Sequence, residues 1–234
     1  MGIIMDGNRR WAKNLGLAET IGHAAGFSNG HEGGEAALIK LLDEYRSLRD
    51  TWGTAHYIFY AMSTENWNRS QEEVAIVLGI FERSFKKMEE RLPKLLADGV
   101  RVCFIGQKER FSPHLQELMQ TFEAKTASGT EGTIAIAVSY GGRPDILHAV
   151  NELIASGKKE VSESDMQHAL WTHGIPEPDL IIRTGGEQRL SNFLLWESAY
   201  AELAFTNTMW PDFSREELER IFEDFASRER RHGR

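Results

Sequence analysis

Only one cysteine occurs among the 234 residues. A disulfide within the chain is therefore excluded, and so is a metal site built on paired cysteines. Cys103 sits in the apolar run VRVCFIG, which predicts a buried thiol. No apolar run approaches the roughly 20 residues needed to span a bilayer, and the first residues lack the basic and then hydrophobic pattern of a secretory signal. A soluble, cytoplasmic protein is the expectation. Positive charge is also scarce: 27 Lys and Arg face 35 Asp and Glu, a formal charge of −8. That balance argues against a nucleic-acid binder held by backbone phosphates and requires any anion chemistry to be focused in one place. No linker rich in Pro, Gly and Ser divides the chain, and no repeat or heptad series occurs, so one domain spanning 1–234 is predicted. The G-x-x-x-x-G-K-[ST], G-x-G-x-x-G and H-E-x-x-H motifs are missing, and HEGGE at 31–35 lacks the second histidine. Nucleotide hydrolysis and zinc chemistry lose ground accordingly.

What is present is an alternation of short β-rich apolar runs with longer segments of helical period. This is the pattern of an α/β fold with a mostly parallel sheet flanked by helices. The strand candidates are GIIM, HYIFYAM, VRVCFIG, TIAIAVSY, DLIIRTG and ELAFT. Ala37, Leu38, Leu41, Leu42, Tyr45 and Leu48 keep helical spacing, as do Val74, Val77, Leu78, Phe81, Phe85, Met88, Leu92 and Leu95. Ile76 and Ile80 widen the second stripe, which suits either ordinary core or one wall of a lipid-accommodating cleft. ASGTEG at 127–132 reads as a turn.

Three polar clusters follow strand candidates, where an open α/β sheet binds its ligands. In MDGNRRW, Gly7 permits close approach to the backbone, a helix N-terminus supplies N–H groups and Arg10 adds a cation, so a phosphate would fit. The alternative makes Asp6 or Asn8 a helix cap. A carboxylate beside a phosphate calls for a cation between them, and Mg²⁺ held by one or two carboxylates plus phosphate oxygens supplies it. In AMSTENWNRS, Ser63, Glu65, Asn66, Trp67 and Arg69 would converge with Asp6, or Ser and Thr would cap the next helix with Trp67 as a staple. In IIRTGGEQRLSNF, Arg183, Arg189 and Ser191 form a candidate second anion site, two forked guanidiniums being suited to a diphosphate. Downstream, Glu202 is a candidate metal carboxylate. Together these clusters point to an enzyme that handles two phosphorylated substrates.

The segments IIMDGNRRWAK, GHAAG, STENWNR, YGGR, IRTGGEQRLSNFLLWESAYAELAFTNTMWPDF and RERRHGR resemble the cis-prenyltransferases, in the family's order from residue 3 to the end. The resemblance implies an undecaprenyl diphosphate synthase-like fold, a hydrophobic tunnel between sheet and helices, and a homodimer. It implies extension of an allylic diphosphate, such as farnesyl or geranylgeranyl diphosphate, by isopentenyl diphosphate with Mg²⁺, giving a Z-polyprenyl diphosphate. It also leaves room for peripheral membrane association through the lipid product, and implies no nucleic-acid partner. By position, Asp6 is the essential acid engaging Mg²⁺. Gly7, Asn8, Arg9, Arg10, Trp11 and His23 border the allylic diphosphate. Ser63, Thr64, Glu65, Asn66, Trp67 and Arg69 complete that part of the site, the family giving Asn66, near Ser63, a proton-accepting role. A neutral amide is a poor base, so an orienting role toward a water or diphosphate oxygen is the chemical expectation. Arg183, Arg189, Leu190 and Ser191 match the isopentenyl diphosphate site. Glu202 matches the metal ligand that reaches in from the partner subunit, and Arg231, His232 and Gly233 match the ending that crosses the dimer.

Three departures from the family pattern stand out. Glu19 occupies a position where the family usually has an arginine that contacts the allylic diphosphate. Arg9 replaces the commoner glycine of the loop and offers partial compensation. The segment from His23 to Ser63 is about a dozen residues longer than in bacterial members, which predicts an extended helix around LIKLLDEYRSLRDTWG and a reshaped tunnel wall. Two other readings remain: a non-catalytic subunit supporting another prenyltransferase, and the same fold running a short-chain or irregular condensation.

Overall fold

The computed structural model describes residues 1–16 and 23–228. All six strand candidates form strands: β1 Gly2–Ile4, β2 His56–Tyr60, β3 Val100–Ile105, β4 Gly132–Ala137, β5 Leu180–Arg183 and β6 Glu202–Phe205. They make one parallel sheet in the order β3-β4-β2-β1-β5-β6. The central strands β1, β4 and β5 are buried at every residue, which is why they read as continuous apolar runs and not as alternating ones.

Helices cover both faces. They are α1 Asn8–Asn14, α2 His23–Asp43, α3 Tyr45–Trp52, α4 Gln71–Ala97, α5 Pro113–Thr126, α6 Gly142–Ala155, α7 Glu163–Ala169 and α8 Arg215–Ser227. On one face a large core joins Ile3, Leu41, Leu48, Phe59, Val102, Leu115, Ile182 and Trp210; on the other a smaller core gathers around Ile58, Tyr140, Ile181 and Phe193. The ASGTEG turn falls between α5 and β4 as predicted.

Two expectations need correction. The period through Ala37 and Leu48 predicts one helix, but the backbone breaks at Glu44 (φ −98°, ψ 1°) and restarts as α3. Asp43 is held there by Arg91, and its carbonyl also accepts from Lys94, so contacts from α4 fix the end of α2. Cys103 is half-buried and not fully enclosed, although desolvation still pushes its thiol up to about 11.

The long helix α4 starts at Ser70, whose side chain accepts the Glu73 N–H at 3.2 Å, with Glu72 and Glu73 in the first turn favouring the helix dipole. Its apolar stripe does both things open to it. Val77 and Phe85 enter the core, Ile76 packs against it, and Val77, Ile80, Phe81, Phe85 and Met88 face a cavity. Gly34, inside HEGGE, and Gly30, just before it, are set by close helix packing. A Cβ at Gly30 would lie 2.3 Å from the Asn8 carbonyl oxygen, and one at Gly34 would lie 2.5 Å from Asn8 Oδ1. The glycines let α2 close against α1, a packing role and not a metal one.

Candidate functional site

Chain connections leave β1 toward β2 and leave β5 toward β6, in opposite directions across the sheet. The crevice beyond the carboxyl ends of β1 and β5 is thus a topological switch point, where open α/β sheets place their ligands. Asp6 follows β1 and Arg183 ends β5, and they meet there with Arg183 Nη2 donating to Asp6 Oδ2 at 2.8 Å. Asp6 is fixed from several sides. Its N–H donates to Thr184 Oγ1 at 3.0 Å, its carbonyl accepts the Thr184 hydroxyl at 2.7 Å and the Trp210 N–H at 3.0 Å, and its Oδ1 accepts the Gly7 N–H at 2.6 Å. Gly7 has φ +109°, and a Cβ on it would lie 2.9 Å from the Met209 Cβ, so only glycine fits this turn. Arg10 approaches Asp6 Oδ1 at 3.4 Å and Glu187 at 3.7 Å.

Opposite this turn, the segment after β2 folds as a short 3₁₀ helix, Thr64–Asn68. Ser63 N–H donates to Asn66 Oδ1 at 3.1 Å. The amide oxygen is thereby occupied, and Asn66 offers N–H donors to the cleft. Asp6, Gly7, Asn8, Arg9, Arg10, Ser63, Glu65, Asn66, Arg69 and Ser191 line one polar cleft of about 760 Å³. Ser63, Glu65, Asn66 and Arg69 thus converge with Asp6 as expected, whereas Trp67 does not line the cleft.

Cation chemistry in the cleft is uneven. Arg9 pairs with Glu73 at 3.2 Å, and its guanidinium lies 5.4 Å from the Phe27 ring centroid. Arg69 lies over the same ring at 5.6 Å, and among the described residues no carboxylate forms an ion pair with it. Desolvation and then the charge of Arg9 push its pKa down. Glu73 and Asp6 offset this only in part, so the two neighbouring guanidiniums suit an anion in the cleft.

The third cluster is arranged differently from the expectation of two guanidiniums on one ligand. Arg183 is buried, donating to Asp6, to the Arg189 carbonyl at 2.5 Å and to Ser191 Oγ at 2.7 Å. Arg189 is exposed and pairs with Glu187. Ser191 and Asn192 both have positive φ, 49° and 65°. This strained loop is pinned by Asn192, which accepts the Arg143 N–H at 2.9 Å and donates to Glu65 at 3.0 Å.

Other predicted residues lie beside the cleft. Trp11 donates to Asp212 at 2.8 Å and packs near Gly33 and Pro211. Thr64 donates to Glu65. Trp67 turns inward to donate to Ser139 at 2.9 Å, with Arg110 over its ring. Leu190 packs against the smaller core. Glu202 opens β6 in register with Leu180, at the opposite end of the strands from Asp6, and is paired with Arg228 at 2.9 Å. Within one chain it does not join the Asp6 cleft. His23 is the first residue of α2; its side chain, with Glu19, Arg231, His232 and Gly233, lies outside the described residues.

Sequence reasoning missed His31 and Tyr60. Both line the polar cleft and also a second, apolar cavity, together with Met5, Asn8 and Ala61. The His31 ring packs tilted against Phe27, centroids 4.4 Å apart, its Nε2 is buried without a partner, and burial followed by the charges of Arg69 and Arg9 lowers its pKa to about 4. The imidazole is therefore neutral at physiological pH. Its only sequence signal was a position one helical turn beyond Phe27. Tyr60 donates to the carbonyls of Tyr140 at 3.2 Å and Ser191 at 3.3 Å. The apolar pouch beyond these residues runs between α2 and α4 over the sheet. Leu38, Val77, Ile80, Phe81, Phe85, Met88, Phe104 and Ile136 line it, and it encloses about 110 Å³.

Among the described residues, no three His, Cys, Asp or Glu side chains group as a metal cage. The oxygen donors at the cleft nevertheless suit a hard cation shared with a ligand. Asp6 supplies a carboxylate at the cleft, whereas Asn8 Oδ1 is buried against Gly34 of α2 and does not face it. Mg²⁺ characteristically takes one or two carboxylates and completes its shell with phosphate oxygens and water.

A charged cleft at the switch point of an α/β protein, sharing lining with an apolar pouch, offers the two environments that an amphiphile with an anionic head requires. The family model described as "Putative undecaprenyl diphosphate synthase" matches residues 4–233. The isoprenyl transferase of Chromobacterium violaceum is 44% identical over 232 residues, covering 99% of this chain and 86% of the relative. That of Aquifex pyrophilus is 41% identical, covering 99% and 94%. Among solved structures, lavandulyl diphosphate synthase from Lavandula x intermedia, in complex with dimethylallyl diphosphate, superposes with a TM-score of 0.88 at 30% identity, covering 100% of this chain and 97% of its own. A structure described as a probable undecaprenyl diphosphate synthase from Campylobacter jejuni gives 0.77 at 29% identity, with the same coverage. The chain belongs to the undecaprenyl diphosphate synthase family of cis-prenyltransferases, and it is a prenyl transferase enzyme.

Proposed function

We propose that the protein condenses isopentenyl diphosphate with an allylic diphosphate in a Mg²⁺-dependent reaction, giving a Z-polyprenyl diphosphate. The observation that carries this reading is that the cationic cleft and the apolar pouch lie side by side, sharing Met5, Asn8, His31, Tyr60 and Ala61 as lining. A diphosphate head and a hydrocarbon tail need those two environments side by side.

In this reaction the allylic C–O bond breaks and its electron pair leaves with the diphosphate. The double bond of isopentenyl diphosphate attacks the allylic carbon, and a proton is lost from the adjoining carbon. Arg9, Arg10 and Arg69 would hold the departing diphosphate, since fixed cations at a site of developing charge stabilise it most. Bound Mg²⁺, held through Asp6, would supply further charge neutralisation there. Because the Asn66 oxygen is already taken by Ser63, its N–H groups suit orienting the diphosphate oxygen or water that accepts the proton, in preference to acting as base. Arg183, in salt-bridge contact with Asp6, couples the two proposed diphosphate sites. Glu202 would act as a metal ligand toward a partner subunit, in a homodimer. The reading carries with it a cytoplasmic location and peripheral membrane contact through the lipid product; no helix among the described residues is long and apolar enough to cross a membrane.

Purified protein given Mg²⁺, farnesyl diphosphate and labelled isopentenyl diphosphate should form elongated product. No product with farnesyl, geranylgeranyl or dimethylallyl diphosphate, under conditions where a family control is active, would sink the proposal and favour a non-catalytic subunit. A second reading is an irregular condensation of two five-carbon units. It is favoured by the higher TM-score to the lavandulyl enzyme and by the small pouch. Mass spectrometry of the product formed from dimethylallyl diphosphate distinguishes the two.

A further inference from the structure

Along one wall of the pouch α2 and α4 run side by side away from the cleft, and their facing charges are segregated, acids on α2 and bases on α4. Glu32 meets Arg83 at 3.1 Å, Glu35 meets Lys87 at 2.8 Å, and Asp43 receives two contacts from Arg91, at 3.1 and 3.2 Å. The first and last rungs are solvated, and such pairs contribute little. The middle rung differs. Glu35 is only 9% exposed, and Ser84 donates to its other carboxylate oxygen at 2.6 Å. Glu35 and Ser84 both line the pouch, so a carboxylate faces a cavity whose remaining described lining carries no other charged group. Lys87 reaches it from the solvent side.

The dimensions make this rung consequential. An apolar cavity of roughly 150 Å³ holds one benzene; at about 110 Å³ the pouch admits about one five-carbon unit before its walls must part. Glu35 lies one helical turn beyond His31, so the rung sits about 6 Å along α2 from the neck, with Leu38 and Met88 lining the pouch one turn further on. A longer chain has to pass it. Doing so separates α2 from α4 or strips a buried carboxylate of its partners, and removing the partner of a buried charge is costly.

We propose that the Glu35–Ser84–Lys87 rung is a specificity-determining stop, clamping α2 to α4 and setting the length of hydrocarbon chain the pouch accepts. That the chain is a prenyl chain rests on the function proposed above; the stop itself does not.

The first test needs no catalysis. n-Alkyl monophosphates of increasing length are titrated against the whole protein and followed by tryptophan fluorescence, Trp210 lying in the pouch lining. In the unmodified protein, affinity should climb with each added methylene to a break and then level off. Glu35→Ala and Glu35→Leu should carry that break outward by about five carbons or more. Lys87→Met, which leaves the carboxylate without its counter-charge, should loosen the same seam and move the break in the same direction. With farnesyl diphosphate and labelled isopentenyl diphosphate, the same variants should shift the product distribution upward by about one five-carbon unit or more. If folded variants, checked by thermal melting, keep the original break, the rung is structural only and the proposal is overturned. Should Glu35→Ala fail to fold, Glu35→Gln, which retains a Ser84 contact, and Lys87→Met decide by the same readout. An unmodified protein that elongates nothing would overturn the prenyl reading, while the alkyl break would still judge the stop.

Discussion

The cleft and the pouch share five lining residues yet are built on opposite physical terms. The cleft is wide, about 760 Å³, and lined by Asp6, Arg9, Arg10, Glu65 and Arg69; the pouch is narrow and apolar apart from the Glu35 rung. In the cleft, turns and ion pairs hold the charges: the Gly7 turn holds Asp6, Glu73 holds Arg9, and the strained Ser191–Asn192 loop closes the far side. In the pouch, helix faces set the walls, and their separation depends on contacts between helices. A headgroup site of this kind is preorganised, whereas the tail site is adjustable.

The largest effect should come from breaking the cleft. Asp6→Asn keeps the size of the side chain and its ability to accept the Gly7 N–H, but removes the charge that would share a cation with the diphosphate. Condensation should fall by about 10³-fold, the scale for losing a preorganised electrostatic group. Steady-state incorporation of labelled isopentenyl diphosphate measures it, and circular dichroism establishes that the variant folds. Full activity in Asp6→Asn would remove the metal-sharing role while leaving the family membership intact.

Next in size is Arg69→Ala. Arg69 sits at the cleft, unpaired with any described carboxylate, so its loss should act on binding of the diphosphate head. An apparent KM for the allylic substrate raised about 10–100-fold is expected, with a smaller change in kcat. Arg69→Lys should recover only part of this, since a point charge lacks the planar fork. An unchanged KM would mean that Arg69 merely braces Phe27.

A smaller and different response is expected from the pouch. Met88→Ala, far down the apolar face of α4, should leave headgroup affinity alone and cost up to about 2 kcal/mol in stability, below the range for a fully buried methionine because Met88 is half-buried and the site is already part cavity. Product analysis should then show a longer chain. If headgroup affinity fell in parallel, the separation between preorganised head site and adjustable tail site would be wrong.

These two regions were not equally legible in the sequence. The cleft was, because its residues cluster locally: MDGNRR and STENWNR each follow an apolar run, and carboxyl ends of parallel strands converge by construction. The strands were legible as short apolar runs, β1, β4 and β5 being buried at every residue, although the edge strand β6 is half-exposed. The break at Glu44 was not, since the apolar period continues through it and only Arg91 and Lys94, about fifty residues away, end the helix. The role of Arg183 was half visible. Its charge suggested an anion site, but the ion pair with Asp6 depends on β1 and β5 being neighbours. The pouch was least legible, because a stripe such as Val77, Ile80, Phe81 and Phe85 looks the same whether it faces core or cavity. Glu35 carried no reading beyond the HEGGE near-miss, because Ser84 and Lys87, which hold it, lie about fifty residues away.

The smallest effect probes the boundary itself, at His31. Burial and two nearby guanidiniums hold this imidazole neutral, with a pKa near 4 instead of the usual 6.5. The unfolded chain therefore takes up a proton between pH 6.5 and 4 that the folded chain refuses, so stability should fall as pH drops through that window. With the side chain partly solvated, about 2 kcal/mol is the expected size. His31→Gln cannot take up the proton and should flatten this part of the profile, which urea unfolding at pH 7 and pH 4.5 would measure. Because the Arg9 and Arg69 charges contribute to the depression, the same profile in Arg69→Ala should be shallower than in the unmodified protein. An identical slope would show that burial against Phe27 alone sets the imidazole, and that cleft and pouch meet there without electrostatic coupling.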